Sequence, residues 1–203
     1  MNSEKLVMQG RACEEKENFE EAYRLYLEAV HMDGNGDALD SLGDMYYEGD
    51  GVSESYDKAG KYFAMAYDAG GKVKPWHMII AGSYYQQMAE KGECPYDRAI
   101  RYYLAAVRMG TEYGYECLAD IYLQMHEYEK AYECLTMPEK LNTQGLYLFG
   151  RMYEEGLHVD KDPGRAVEYY EAAVDGYEEF REEYGKDMHA EMALTRLAVL
   201  KDL

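Results

Sequence analysis

Residues 39–66 read LDSLGDMYYEGDGVSESYDKAGKYFAMA and residues 146–173 read LYLFGRMYEEGLHVDKDPGRAVEYYEAA, one pattern laid down twice. Aligned without a gap, Leu39 falls on Leu146, Gly43 on Gly150, Met45 and Tyr46 on Met152 and Tyr153, Gly49 on Gly156, Ala59 on Ala166, and Ala66 on Ala173. Small and apolar residues spaced by three, four and seven share one face of a helix, so each copy predicts two helices joined by a glycine-bearing loop. Working outward, Ala22, Ala99 and Ala131 extend the series of Ala59 and Ala166. A module recurring at this length marks a chain that stacks one helical unit on the next.

Around each alanine the neighbours repeat. Phe19, Tyr56, Tyr96, Tyr128 and Pro163 stand three before it, and Glu21, Lys58, Arg98, Lys130 and Arg165 one before. Three and four after it come Leu25-Tyr26, Tyr62-Phe63, Tyr102-Tyr103, Cys134-Leu135 and Tyr169-Tyr170, and seven after it Ala29, Ala66, Ala106 and Ala173, with Pro138 the exception. The preceding helix of each copy is centred on a small residue, Gly10, Gly43, Gly82, Ala119 or Gly150, where another helix can approach closely. The first copy is the weakest, as a terminal repeat with one face in solvent would be.

From small residue to alanine the interval is twelve for Gly10–Ala22 and Ala119–Ala131, but sixteen or seventeen for the other three copies. The short class resembles the tetratricopeptide repeat. The long class, Leu42-Gly43-x-x-Tyr46-x-x-Gly49-x-Gly51-Val52 followed by Asp57-Lys58-Ala59-x-x-Tyr62-Phe63, resembles the Sel-one-like repeat, a relative with an extended inter-helix loop. The resemblance implies an all-α, right-handed superhelical solenoid of about five antiparallel helix pairs plus a C-terminal capping helix. It divides the single domain 1–203 into approximate repeats 1–34, 35–72, 73–110, 111–138 and 139–180, with the cap at 187–203. In the cap, Met192, Leu194, Leu197, Ala198 and Leu200 are the expected apolar set.

Helix starts are marked by Asn18 (with Glu21 as a capping box), Ser55 and Asp162, which offer side-chain oxygens to orphan amides. Pro95 and Pro163 suit a first turn. Gly34, Gly70 and Gly110 stand where the chain must reverse.

The chain carries 40 acidic against 21 basic residues, a net charge of −19, with 23 tyrosines and 4 prolines. That field repels phosphate backbones and anionic membranes and favours cationic partners, so no nucleic acid and no membrane is expected. The first residues lack a basic stretch followed by an apolar core, and the longest apolar runs are too short to span a bilayer, which predicts a soluble, cytoplasmic protein. Cys13, Cys94, Cys117 and Cys134 have neither regular spacing nor a CxxC pair, as buried reduced thiols would.

Candidate chemistry is sparse, and no catalytic residue, metal or cofactor is assigned. Asp33-x-Asn35-x-Asp37 starts like a calcium loop, but Ala38 replaces the glycine of its sharp turn and Asp44 its final glutamate, so an inter-repeat turn with an acidic helix cap is expected. His31, His77, His126, His158 and His189 are scattered without metal-ligand spacing, and no enzyme is predicted. The tyrosines read first as packing residues that fill the space beside each glycine or alanine.

In tetratricopeptide proteins ligands lie on the concave face, contacted at positions −6, −3, +1 and +4 about the small residue. By that resemblance the partner-binding set includes Arg11, Glu14, Asp37, Asp40, Asp44, Tyr47, Trp76, Ser83, Gln86, Tyr113, Glu116, Asp120, Tyr147, Arg151 and Glu154. Carboxylates among aromatic rings suit lysine and arginine, so the expected role is an adaptor or scaffold for a basic, extended protein segment. Two alternatives stand beside it: an acidic coat that is merely solvated, and an immunity protein that neutralises a basic toxin or nuclease. The oligomeric state is left open.

Overall fold

The computed structural model describes residues 2–178 and 187–201. Among them are eleven helices: α1 (Ser3–Glu14), α2 (Phe19–Asp33), α3 (Gly36–Glu48), α4 (Tyr56–Asp68), α5 (Pro75–Glu90), α6 (Asp97–Arg108), α7 (Tyr113–Gln124), α8 (Tyr128–Leu135), α9 (Thr143–Glu155), α10 (Pro163–Glu178) and α11 (Met188–Lys201). The expected end of the fifth repeat at residue 180 and the last two residues of the cap lie outside the described residues. The chain divides into two compact units, residues 1–111 and 112–203. In the first, α1 packs with α2, α3 with α4 and α5 with α6; in the second, α7 packs with α8, α9 with α10, and α11 lies on α10 and α9.

The alanine frame is the core. Ala22, Ala59, Ala99, Ala131 and Ala166 are all 0% exposed, as are Ala29, Ala66, Ala106 and Ala173 seven residues on. In four repeats the central glycine of the first helix carries an aromatic ring against its Cα: Tyr26 on Gly10, Phe63 on Gly43, Tyr103 on Gly82 and Tyr170 on Gly150. A Cβ at any of these glycines would fall under 3.0 Å from the ring, so close helix approach rather than backbone freedom requires glycine here. The fourth repeat keeps the volume by exchange, with Ala119 and Leu135 in the two roles.

A second regularity lies toward solvent. Lys58 stands 4.7 Å over the ring of Tyr46, which stacks on Tyr62 at 5.5 Å. Arg98, Tyr85 and Tyr102 repeat this at 5.3 and 5.4 Å, and Arg165, Tyr153 and Tyr169 at 5.0 and 5.6 Å. In these three repeats the basic residue before the alanine is therefore a cation–π cover for a tyrosine stack. The fourth repeat retains Lys130 over Tyr122 but has Cys134 where the second ring would stand.

Both loop classes have a reproducible backbone. In the short turns Glu17 and His126 take the left-handed conformation, and the next amide bonds back to Cys13 or Tyr122. In the long loops Gly49 and Gly156 are left-handed, as are Gly51 and, at the matching place, His158. Ser55 N then bonds Tyr46 O and Asp162 N bonds Tyr153 O, each at 2.8 Å. Ser55 and Asp162 cap their helices through Lys58 N and Arg165 N.

Three local expectations are corrected. Asn18 makes no side-chain cap bond, and Glu21, which would complete the box, turns away to a two-point pair with Arg24. Pro95 lies two residues before α6 rather than in its first turn. In α11 the buried stripe is Ala190, Ala193 and Leu197, while Met192 and Leu194 face outward.

Candidate functional site

The residues expected on a binding face divide by position. Those at +4 mostly serve their own repeat: Glu14 accepts the Tyr26 hydroxyl at 2.7 Å, Gln86 that of Tyr103 at 2.9 Å and Glu154 that of Tyr170 at 2.8 Å. Where the ring has no hydroxyl, as in Phe63, the +4 residue is Tyr47, and beside Leu135 it is Leu123. This pairing was legible in the sequence as a covariation between two positions of each repeat. Glu154 is also gripped by Arg196 of α11, and these bonds outweigh the effect of its burial, holding its carboxyl below the usual range.

Most of the −3 positions are buried. Asp40, Glu116 and Tyr147 are 8, 3 and 6% exposed, which removes them from an open face. Tyr147 packs against Tyr170 and His189. Of the remaining second-unit residues, Tyr113 is exposed and donates to Gln144, Asp120 holds Gln124, and half-buried Arg151 reaches Glu155 at 3.4 Å. In the first unit Arg11 is exposed 3.8 Å from Asp37, whose carboxylate accepts Lys72 N, and Ser83 is half-buried. The Asp33–Asp37 turn is likewise structural, with Asp33 taking the Ser3 hydroxyl. It is Asn35, an amide and not an acid, that caps α3.

His77, scattered in the sequence, is the centre of one cluster. Its ring is fully buried, stacked on Phe63 at 3.9 Å. Nδ1 lies 2.6 Å from Asp40 and Nε2 lies 3.1 Å from Asp44. The Nε2 contact is a close charge pair whose N–H does not line up with an acceptor. Burial by itself would lower the imidazole pKa, but the bonds and charges of Asp40 and Asp44 prevail and raise it. Burial raises Asp44 in turn, and His77 with Lys74 more than reverses this, leaving its pKa lowered. Ligand atoms of Asp40, Asp44 and His77 lie within 4.8 Å of one another, near enough to share an ion. Nδ1 is however committed to Asp40, and Asp44 meets the Lys74 ammonium at 3.2 Å. That leaves a two-residue donor set already supplied with positive charge, a poor fit to a metal and a good one to a structural ion network.

Beside this cluster the aromatic residues of the sequence reading do come together. Tyr47 and Trp76, from α3 and α5, lie 4.9 Å apart. Lys74 Nζ sits 5.3 Å over the Trp76 ring while pairing with Asp44. Elsewhere the thiol of Cys134 is pushed up to about 11 by burial, which works against a thiolate nucleophile.

Comparison with known proteins gives the lineage of these repeats. A family model described as the Sel1 repeat matches residues 7–33, 36–71, 96–111 and 143–176, more than half of the chain. Over 80 residues the chain is 36% identical to the ERAD-associated E3 ubiquitin-protein ligase component HRD3 of Candida glabrata, a match spanning 38% of this chain and only 9% of that protein. Among solved structures, c5321, a protective antigen of uropathogenic Escherichia coli strains displaying an SLR fold, aligns with a TM-score of 0.52 and 23% identity over 88% of this chain and 41% of that one. MamA protein aligns with a TM-score of 0.56 and 22% identity over 92% and 97% of the two chains. At these identities the structural likeness is one of fold. No described helix is long and apolar enough to cross a membrane.

Proposed function

The chain belongs to the Sel1 repeat family, and from that premise we propose that it is a non-enzymatic adaptor or scaffold whose first unit binds a basic, extended protein segment. Sel1 repeats are in general protein-interaction scaffolds, and the HRD3 likeness favours partner binding. One observation carries the basic partner: Lys74 already occupies the place that a partner's lysine would take, over Trp76 and against Asp44. A cation held by a ring face and a carboxylate gains from both. Tyr47 extends the aromatic floor, and Asp37 with Glu14 continues the acidic line toward α1. An extended ligand would add such modest contacts along the repeats. The net charge of −19 speeds encounter with a cationic segment and disfavours nucleic acid.

Trp76 is the single tryptophan of the chain, so its fluorescence reports directly on this place. Titration with hexalysine is expected to change that emission in a salt-sensitive way, with hexaglutamate inert. Lys74→Ala removes the internal competitor and is expected to tighten hexalysine binding by roughly threefold to tenfold, about 1 kcal/mol. Identical emission with both peptides, or weaker binding to Lys74→Ala, would remove this surface from consideration.

A further inference from the structure

The one second helix that stops short is α8. It has 8 residues, whereas α2, α4, α6 and α10 have 15, 13, 12 and 16. The cause is Pro138, standing where the other repeats place a fully buried alanine. Proline has no amide hydrogen for the helix ladder, and its ring drives the preceding residue out of the helical region. The missing turn leaves a cavity of about 1020 Å³ within the second unit, walled by Tyr132, Leu141, Leu146, Phe149 and Tyr169.

The first unit shows what a complete second helix supplies at this place. Eight and nine residues after Ala59 stand Tyr67 and Asp68. Tyr67 lies edge-on to Tyr102 at 6.1 Å. Asp68 accepts the Tyr102 hydroxyl at 3.0 Å and pairs with Arg101 at 2.6 Å. In the second unit Tyr169 matches Tyr102, and Glu168 matches Arg101. The residues that match Tyr67 and Asp68 are Glu139 and Lys140, and both lie in the loop beyond the end of α8. The edge-on neighbour that Tyr67 supplies is therefore missing, though Tyr169 keeps its stacks on Phe149 and Tyr153, and the sign of the adjacent charge is inverted.

We infer that this cleft receives a short segment of a partner protein carrying an aromatic side chain beside a lysine or arginine. The partner's ring takes the place of Tyr67 against Tyr169 and Leu146, and its cation meets Glu168 and Asp175, as Asp68 meets Arg101 in the first unit. Asp175 and Glu139 line the cleft against Lys140, and Glu168 lies one helical turn before the lining residue Ala172, so the rim is acidic on balance. An aromatic anchor in a pocket with a charged rim is a common form of recognition hot spot. The inference shares with the proposed function the basic character of the partner, but it concerns a different surface.

The test is a nitrogen-15 amide NMR titration of the full chain with the acetylated, amidated hexapeptide Arg-Phe-Lys-Arg-Phe-Lys, with hexalysine and Glu-Phe-Glu-Glu-Phe-Glu as controls. Shifts are expected in residues 139–146 and 165–175. They should be about tenfold weaker in affinity with hexalysine, which lacks the ring, and absent with the acidic peptide. The double variant Glu168→Lys, Asp175→Lys is expected to lose at least about tenfold for the basic aromatic peptide, and both sites are exposed, so the fold is retained. Pro138→Ala, which permits α8 to continue, is expected to raise helicity and abolish the cleft response while leaving the Trp76 response intact. Shifts confined to the surroundings of Trp76, or unchanged affinity in the double variant, would overturn the cleft and leave the first-unit surface standing. Shifts at the cleft with a silent Trp76 would do the reverse.

Discussion

Asp40 stands three residues before Gly43, and Glu116 three before Ala119; each is buried where its repeat meets the next. Five residues before the next small residue, the first meets His77 and the second meets Gly145. The first junction thus holds Asp40 against an imidazole whose pKa the bonds and charges of Asp40 and Asp44 raise against the opposing effect of burial. The second holds a carboxyl whose shown partner is the backbone amide of Asn142 at 2.8 Å. Burial pushes Glu116 up to about 7, the Asn142 amide offsetting part of this and the charge of Glu112 adding to it. One repeat position therefore faces an imidazole in one unit and, in the other, carries a carboxyl that burial pushes up to about 7. What decides between them is the presence of a ring or only a hydrogen at the facing position.

The two junctions respond differently to pH. His77 has a raised folded pKa, so its contribution is complete below the unfolded value near 6.5 and is lost as pH climbs through the folded value. Asp44, lowered, contributes above its ordinary 3.8 and loses that contribution as pH falls through the depressed value. The first junction is hence bounded on both sides. Glu116 is bounded on one side only: its carboxyl costs nothing well below 4.5, the cost accrues as pH rises from 4.5 to about 7, and it is fully present above that.

The largest effect should come from breaking the ion network. His77→Ala leaves Asp40 buried without its partner and removes the ring stacked on Phe63, at a cost of about 3 to 5 kcal/mol in urea unfolding at pH 6. A loss under about 1 kcal/mol would mean that water replaces the imidazole easily and that the junctions are alike after all. Next in size is Glu116→Gln, which keeps an acceptor for Asn142 N and discards the ionisable proton. It should stabilise by about 2 to 3 kcal/mol above pH 8 and by nearly nothing at pH 4. A gain that is equal at the two pH values would place its origin in packing and not in charge.

Much of this architecture was readable from one sequence because it follows from volume. The alanine frame, the glycines that accept a ring and the left-handed turn at Gly34 each leave a residue-type signature that repeats. What periodicity alone concealed was orientation across a junction. Asp40, Asp44 and Glu116 carry the same charge and neighbouring repeat positions, and the sequence reading placed them together on an open acidic face. Only the facing residue tells them apart, and it lies in the following repeat at an offset that helix packing sets. The same holds for Glu14, Gln86 and Glu154, whose tyrosine partners are twelve to seventeen residues away in sequence. Asn18 misled for a local reason, since Arg24 competes for the glutamate that would complete its box. Tyr47 and Trp76 were expected on neighbouring first helices and do meet there, but both rings are half-buried and pack against the core as well, Trp76 lying edge-on to Phe63 and His77.

The smallest expected effect is the most specific to the comparison. Gly145 is the hydrogen that stands where the first unit has a side chain, and a Cβ built there would lie 2.8 Å from Leu141 Cδ2 and 2.9 Å from Glu116 Oε1. Both are the far ends of flexible side chains and can move. Alanine within a helix gains about 1 kcal/mol over glycine, and displacing the carboxyl from Asn142 N returns a similar amount, so Gly145→Ala should change stability by less than about 1 kcal/mol. Its signature is the titration of Glu116: with the amide bond lengthened and the burial kept, the midpoint should move above about 7. Carbon-13 NMR of the Glu116 carboxyl reads this directly. A midpoint unchanged or lowered would show that the amide of Asn142 is not what holds the acid partly ionised, and that the contrast between the junctions rests on solvent access alone.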